Sequence, residues 1–151
     1  IAGTLVIVIA RSLVTAIGIL IIAAVFGASS VHGIGEFLFW IIAVSTVFGL
    51  LGNIVGLWAN NFEQLTILNV FLITPLSFVG GVFNTINMLP PYLRWMAWAN
   101  PFFYFINGLR HSMIGFTEAP EGLGIAVTVG LVVVMFAIVL RLYSIGYGLR
   151  E

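Results

Sequence analysis

Long apolar runs alternate with short polar breaks along this chain. A helix that crosses a bilayer needs about 20 mostly apolar residues. Four stretches meet that requirement: 5–26, 37–58, 65–83 and 123–142. The breaks between them are ASSVHGIGE after the first, ANNFEQ after the second and TEAPEG before the last. The pattern predicts an all-α integral membrane protein with four spans. Arg11, inside the first stretch, is expected at the interface with its stem snorkelling along the lipid boundary.

One region fits neither class. The stretch NMLPPYLRWMAWANPFFYFINGLR is too apolar for a water-exposed loop and too interrupted by proline and arginine for a single span. Pro90 and Pro91 suit a helix start, because proline is pre-organised for the first turn. Asn100 precedes Pro101, and a residue before proline disfavours the α region, so a break belongs there. The segment after it is too short to span comfortably at about 1.5 Å per residue. A re-entrant helical hairpin over 90–116, packed against the spans, accommodates both halves, since irregular backbone at membrane depth needs protein around it. Arg94 and Arg110 are expected at its headgroup rim. Tyr92, Trp95, Trp98 and Tyr104 read as an aromatic belt at that level.

Within the second stretch, Gly49, Gly52 and Gly56 flank Asn53, a pattern of small residues and one polar residue that suits close helix packing. Contact within this subunit and contact with a second copy both fit. In the third stretch, Pro75 predicts a helix kink, with Thr74 or Ser77 available to satisfy the freed carbonyl.

Composition narrows the function. The chain has 151 residues, 62% hydrophobic and 7% charged, and a surface so poor in charge belongs in lipid. Lysine is absent and the net charge is zero, so no basic footprint for nucleic acid exists and no P-loop lysine is available for ATP. Cysteine is absent too, which removes disulfides and thiolate metal sites. His32 and His111 stand alone in sequence and are expected to be solvated; neither belongs to a catalytic or metal motif, and no catalytic, cofactor or metal residue is assigned. The carboxylates Glu36, Glu63, Glu118, Glu121 and Glu151 all fall at or beyond stretch ends, so energy for any transport is expected from outside the chain. Counting Arg11, Arg141 and Arg150 on one side against Arg94 and Arg110 on the other puts both ends in the cytoplasm. Starting at Ile1, without Met, a charged n-region or a cleavage site, the sequence is expected to be a fragment of a longer chain.

The elements TPLSFVGGVF, the LPP turn, the NPFFY break and NGLRHSMIGF, in that order and spacing, resemble the C-terminal signature of ABC-2 type permeases. AGTLVIVIARSL, GLLGNIVGLWANNFEQ and the closing YGLR are similar to further pieces of bacterial exporter permeases. The resemblance implies the last four spans of a six-span permease subunit without a catalytic site of its own. It further implies a dimer, homodimeric or with a closely related second permease. ATP and Mg²⁺ are expected on a partner ATP-binding-cassette subunit, with no cofactor on this chain. The location it implies is the bacterial inner membrane. By the same resemblance the ANNFEQ turn, with Asn60, Asn61 and Glu63, faces the ATPase, and the 90–116 hairpin lies on the outer side. The expected activity is export of a drug, lipid or polysaccharide. An ion-driven carrier or channel, or a non-transporting scaffold, are the alternatives.

Overall fold

A computed structural model describes residues 1–27, 31–82 and 84–146. Phe83, at the expected end of the third stretch, and the closing residues Arg150 and Glu151 lie outside the described residues. The described chain is all helical. The helices are α1 (Ala2–Val25), α2 (Ile34–Trp58), α3 (Phe62–Leu68), α4 (Thr74–Val79), α5 (Pro91–Ala99), α6 (Pro101–Ile114) and α7 (Glu121–Ser144). A π-helical turn, Asn69–Ile73, joins α3 to α4, and a 3-10 turn, Ile86–Met88, precedes α5. Four runs are long and apolar enough to cross a membrane: α1, α2, Phe62–Val79 and α7.

The third run ends at Val79, short of the boundary expected at 83. Gly80 and Gly81 stop it, and Gly81 takes a φ of 98°, a left-handed conformation open chiefly to glycine. Pro75 sits in the first turn of α4, directly after the π turn. A widened turn absorbs the donor that proline lacks. The Thr74 hydroxyl donates to the Asn69 carbonyl at 3.0 Å, and the Ser77 hydroxyl donates to that of Ile73 at 2.8 Å. Both polar side chains therefore satisfy carbonyls around the irregular turn.

Helix α2 is the hub, packed against α1, α6 and α7. In lipid the close fit of side chains and backbone, more than water exclusion, holds helices together. Trp40, only 1% exposed, provides the largest such fit. Its indole lies where a Cβ on Gly108 of α6 would stand, and its rim would be 3.3 Å from a Cβ on Gly124 of α7. Two glycines on two helices thus form the slot for one ring. At the far end of α2, Asn53 ties three helices. Its amide donates to Gly49 O at 2.8 Å and to the Thr4 hydroxyl of α1 at 3.2 Å, and its carbonyl accepts from the Tyr143 hydroxyl of α7 at 3.4 Å.

Gly49 is buried against α1, where a Cβ would lie 3.0 Å from Leu5, whereas Gly52 and Gly56 face open space. Arg11 is not at a helix end. It lies well inside an unbroken α1 and lines a groove of about 480 Å³ with Ser12, Thr15 and Ser45. The helix starts at Ala2 and runs through the arginine without a break, so its backbone marks no boundary between a surface-lying segment and a span.

Candidate functional site

The chemistry-bearing side chains gather where α2 and α7 begin and α6 ends. Helix α5 starts with Pro90 as its N-cap and Pro91 as its first residue, and it stops at Asn100. Asn100 has extended backbone, φ −90° and ψ 118°, the conformation favoured before Pro101. Its side chain does two further jobs. The Oδ1 atom accepts from the Phe102 N–H at 3.0 Å, capping α6, and the Nδ2 atom donates to the Leu76 carbonyl at 2.6 Å. Asn100 is 3% exposed, so the bend is pinned into the interior as well as interrupted by proline.

Helix α6 then runs antiparallel to α2. The Phe102 ring lies 5.5 Å from that of Phe48, while His111 meets Glu36. Glu36 and Phe48 are about 18 Å apart along α2 at 1.5 Å rise per residue, so the α5–α6 bend reaches to about the middle of that helix.

The two arginines of the hairpin are engaged within the protein. Arg94 bends back on its own turn and donates to Leu89 O at 3.1 Å and Asn87 O at 3.3 Å. Arg110 pairs with Glu118 at 2.9 Å and donates to Gly81 O at 2.6 Å. Glu118 also accepts from the Ile86 N–H at 2.8 Å. Arg110 therefore joins the end of α4, the turn before α5 and the loop before α7. Asn107, buried on α6, holds the same loop: its Oδ1 accepts from the Glu118 N–H at 2.7 Å and its Nδ2 donates to Thr117 at 3.1 Å.

Tyr104 is no belt residue. It is 6% exposed and donates to the Trp98 carbonyl at 2.9 Å, whereas Tyr92 and Trp95 are about two-thirds exposed.

His111 is not a solvated loop residue either. It lies in the last turn of α6, and its Nδ1 is 2.6 Å from Glu36 Oε1 in the first turn of α2. Glu121, in the first turn of α7, completes the group; one ligand-type atom from each of the three lies within 4.8 Å of the others. The hydrogen bond to Glu36 holds the imidazole protonated to higher pH than usual, against a smaller lowering by burial, and the negative charges of Glu36 and Glu121 add to the rise. Beside it, the backbone N–H groups of His32 and Gly33 donate to Ser112 O at 2.9 and 3.0 Å, clasping the loop before α2 to α6.

Sequence reasoning passed over Glu36, His111, Glu121, Asn107 and Glu118. A histidine and three acids separated by long apolar stretches carry no spacing signal. Only the folded arrangement of α2, α6 and α7 puts them side by side.

The remaining polar turn lies at the opposite end of α2. Ala59 leaves the helix in extended conformation, Asn61 is the N-cap of α3 without a side-chain bond, and the Asn60 N–H donates to the Gln64 side chain at 2.9 Å. Glu63 lies in the first turn of α3 and is exposed, where a carboxylate complements the helix dipole. Asn60, Asn61 and Glu63 therefore form one exposed polar corner, far along α2 from the hairpin.

Comparison with known proteins adds three facts. The sequence pattern of the ABC-2 type transporter family matches residues 1–114. The chain is 30% identical over 143 residues to the inner membrane transport permease YadH of Escherichia coli K12, and equally to that of Shigella flexneri. Those alignments take in 95% of this chain but 56% of each relative, so the chain spans little more than half the length of the curated relatives it matches. No solved structure matches the chain.

Proposed function

Because the chain belongs to the ABC-2 type transporter family, we propose that it is part of the permease subunit of an ATP-driven exporter in the bacterial inner membrane. The relatives' description as inner membrane transport permeases supports both the location and the transport role. ATP and Mg²⁺ would bind a partner cassette ATPase, and two permease copies, or this one and a close relative, would form the pathway. Both chain ends would lie in the cytoplasm, with the α5–α6 hairpin entering from the outer side. Cargo would belong to the drug, lipid or polysaccharide class.

The observation that carries this reading is the unbroken 25-residue course of α2. One end packs against the hairpin through Glu36 and Trp40, and the other runs straight into the polar corner at Asn60, Asn61 and Glu63. A rigid helix of that length carries a push on the corner to the hairpin. ATP binding on the partner then needs only to favour one arrangement of the corner over another, shifting the population of permease states. Gly52 and Gly56, open on the α2 surface, leave room for a close helix neighbour.

Arg11, an ionisable group inside a span, favours a second reading as an ion-driven carrier. Vesicles reconstituted with the permease, with and without a cassette ATPase encoded beside it, separate the readings. Transport or cargo-stimulated hydrolysis that needs both proteins and ATP supports the exporter. Uptake driven by an ion gradient without the ATPase supports the carrier. Binding of the ATPase with neither activity would make the chain a scaffold and end the proposal.

A further inference from the structure

We propose that Glu36, His111 and Glu121 form a divalent transition-metal site, fitted best to Zn²⁺, that cross-links α2, α6 and α7. The three donors come from three different helices, and their candidate ligand atoms already lie within 4.8 Å of one another. Zinc binds imidazole nitrogen and carboxylate oxygen at about 2.0–2.2 Å, so donors around one ion stand at most about 4.4 Å apart and the three must draw together slightly to seat it. Glu36 and His111 are about one-quarter exposed and Glu121 more so, which leaves an entry path and room for water to complete the coordination.

Charge points the same way. Two carboxylates around one imidazole leave a net negative charge whether or not the histidine is protonated. None of the four described arginines answers it. Arg110 is committed to Glu118 and Gly81 O, Arg94 to the carbonyls of its own turn, Arg11 lies beside Ser45 midway along α2, and Arg141 is at the opposite end of α7. A divalent ion cancels the excess and takes over from the Glu36–His111 hydrogen bond. The mixed nitrogen and oxygen set favours zinc-like metals over Ca²⁺ or Mg²⁺, which prefer all-oxygen shells. Bound metal fastens the C-terminal end of α6 to the starts of α2 and α7. The site stands on the geometry of these helices and does not depend on the transport reading.

The test uses the tag-free full chain, purified in detergent, stripped with chelator and titrated with Zn²⁺ against a chromophoric competitor at fixed pH. One Zn²⁺ per chain is expected, with at least about 10-fold weaker binding in Glu36→Gln and Glu121→Gln, the order of loss typical of an altered metal shell. His111→Ala should lose the site, and His32→Ala should keep it. Co²⁺ should give a visible ligand-field spectrum in the wild type that changes in Glu121→Gln. The Glu121 variant guards against a folding failure in the other two, because Glu121 is exposed at a helix start. Absence of stoichiometric Zn²⁺ binding, or binding left unchanged in Glu121→Gln and His111→Ala, overturns the proposal.

Discussion

Replacing Gly108 by alanine should break the packing at the centre of the bundle. The added methyl group would fall within the Trp40 six-membered ring's own contact distance. Carbon atoms rest at about 3.5–4.0 Å from one another, so the ring must withdraw by more than about 1 Å. Trp40 has nowhere easy to go: it is 1% exposed, and a methyl group on Gly124 of a second helix would stand only 3.3 Å from the ring rim. Overpacking of this kind costs about 1–3 kcal/mol, and the upper half of that range applies where a second helix blocks relaxation. The control is Gly130→Ala in α7, where nothing lies within 4 Å of the new methyl group. Equilibrium unfolding in mixed detergent should show a loss near about 2 kcal/mol for Gly108→Ala and a change within about 0.5 kcal/mol for Gly130→Ala. Trp40→Leu should itself be destabilising through the cavity it leaves, by about 2–4 kcal/mol. It also removes an indole N–H that has no hydrogen-bond partner among the described residues, which offsets part of that loss. The double variant should then fall short of the sum by about 1–3 kcal/mol, since the new methyl group has lost its obstacle. Additive losses, or a Gly108→Ala protein as stable as the control, would refute the claim that the two glycines form the slot for Trp40.

Other substitutions test the hairpin and the polar corner. Arg110→Ala strands Glu118, whose side chain is 8% exposed, and should cost about 2–4 kcal/mol, between surface and buried ion-pair values; Arg110→Ala with Glu118→Ala should lose less than the single change, by the same unfolding assay. Asn100→Ala removes both the α6 cap and the bond to Leu76 O, at about 1–3 kcal/mol. Cysteine accessibility along 95–105 should then show the bend loosened even though Pro101 remains. Glu63→Ala should lower ATP-driven transport in the reconstituted pair with assembly intact, because the exposed carboxylate makes no contact that folding needs; full transport would remove it from the coupling role.

The legible features were the local ones. Hydropathy over a window of about 20 residues marks a span, and the Asn100-Pro101 step marks a bend, because each follows from the conformational limits of its own residues. The polar corner at 59–64 was visible for the same reason. The partners of arginine and histidine were not legible, because they come from distant parts of the chain. Arg110 meets Glu118 and the Gly81 carbonyl, and His111 meets Glu36, only because the fold brings distant segments beside them.

By itself, then, the sequence determined that this chain is a set of apolar helices with one proline-broken pair and one polar corner. Tertiary structure alone decided that His111 meets Glu36 across 75 residues, that Trp40 packs against two glycines of other helices, and that Tyr104 is core and not belt. The physical reason is range. Helix formation and its interruption are set within a few neighbouring residues, whereas pairing of charges and fitting of rings depend on the rotation of each helix about its axis. In lipid that rotation is decided by packing against the neighbours, on which apolar composition is silent.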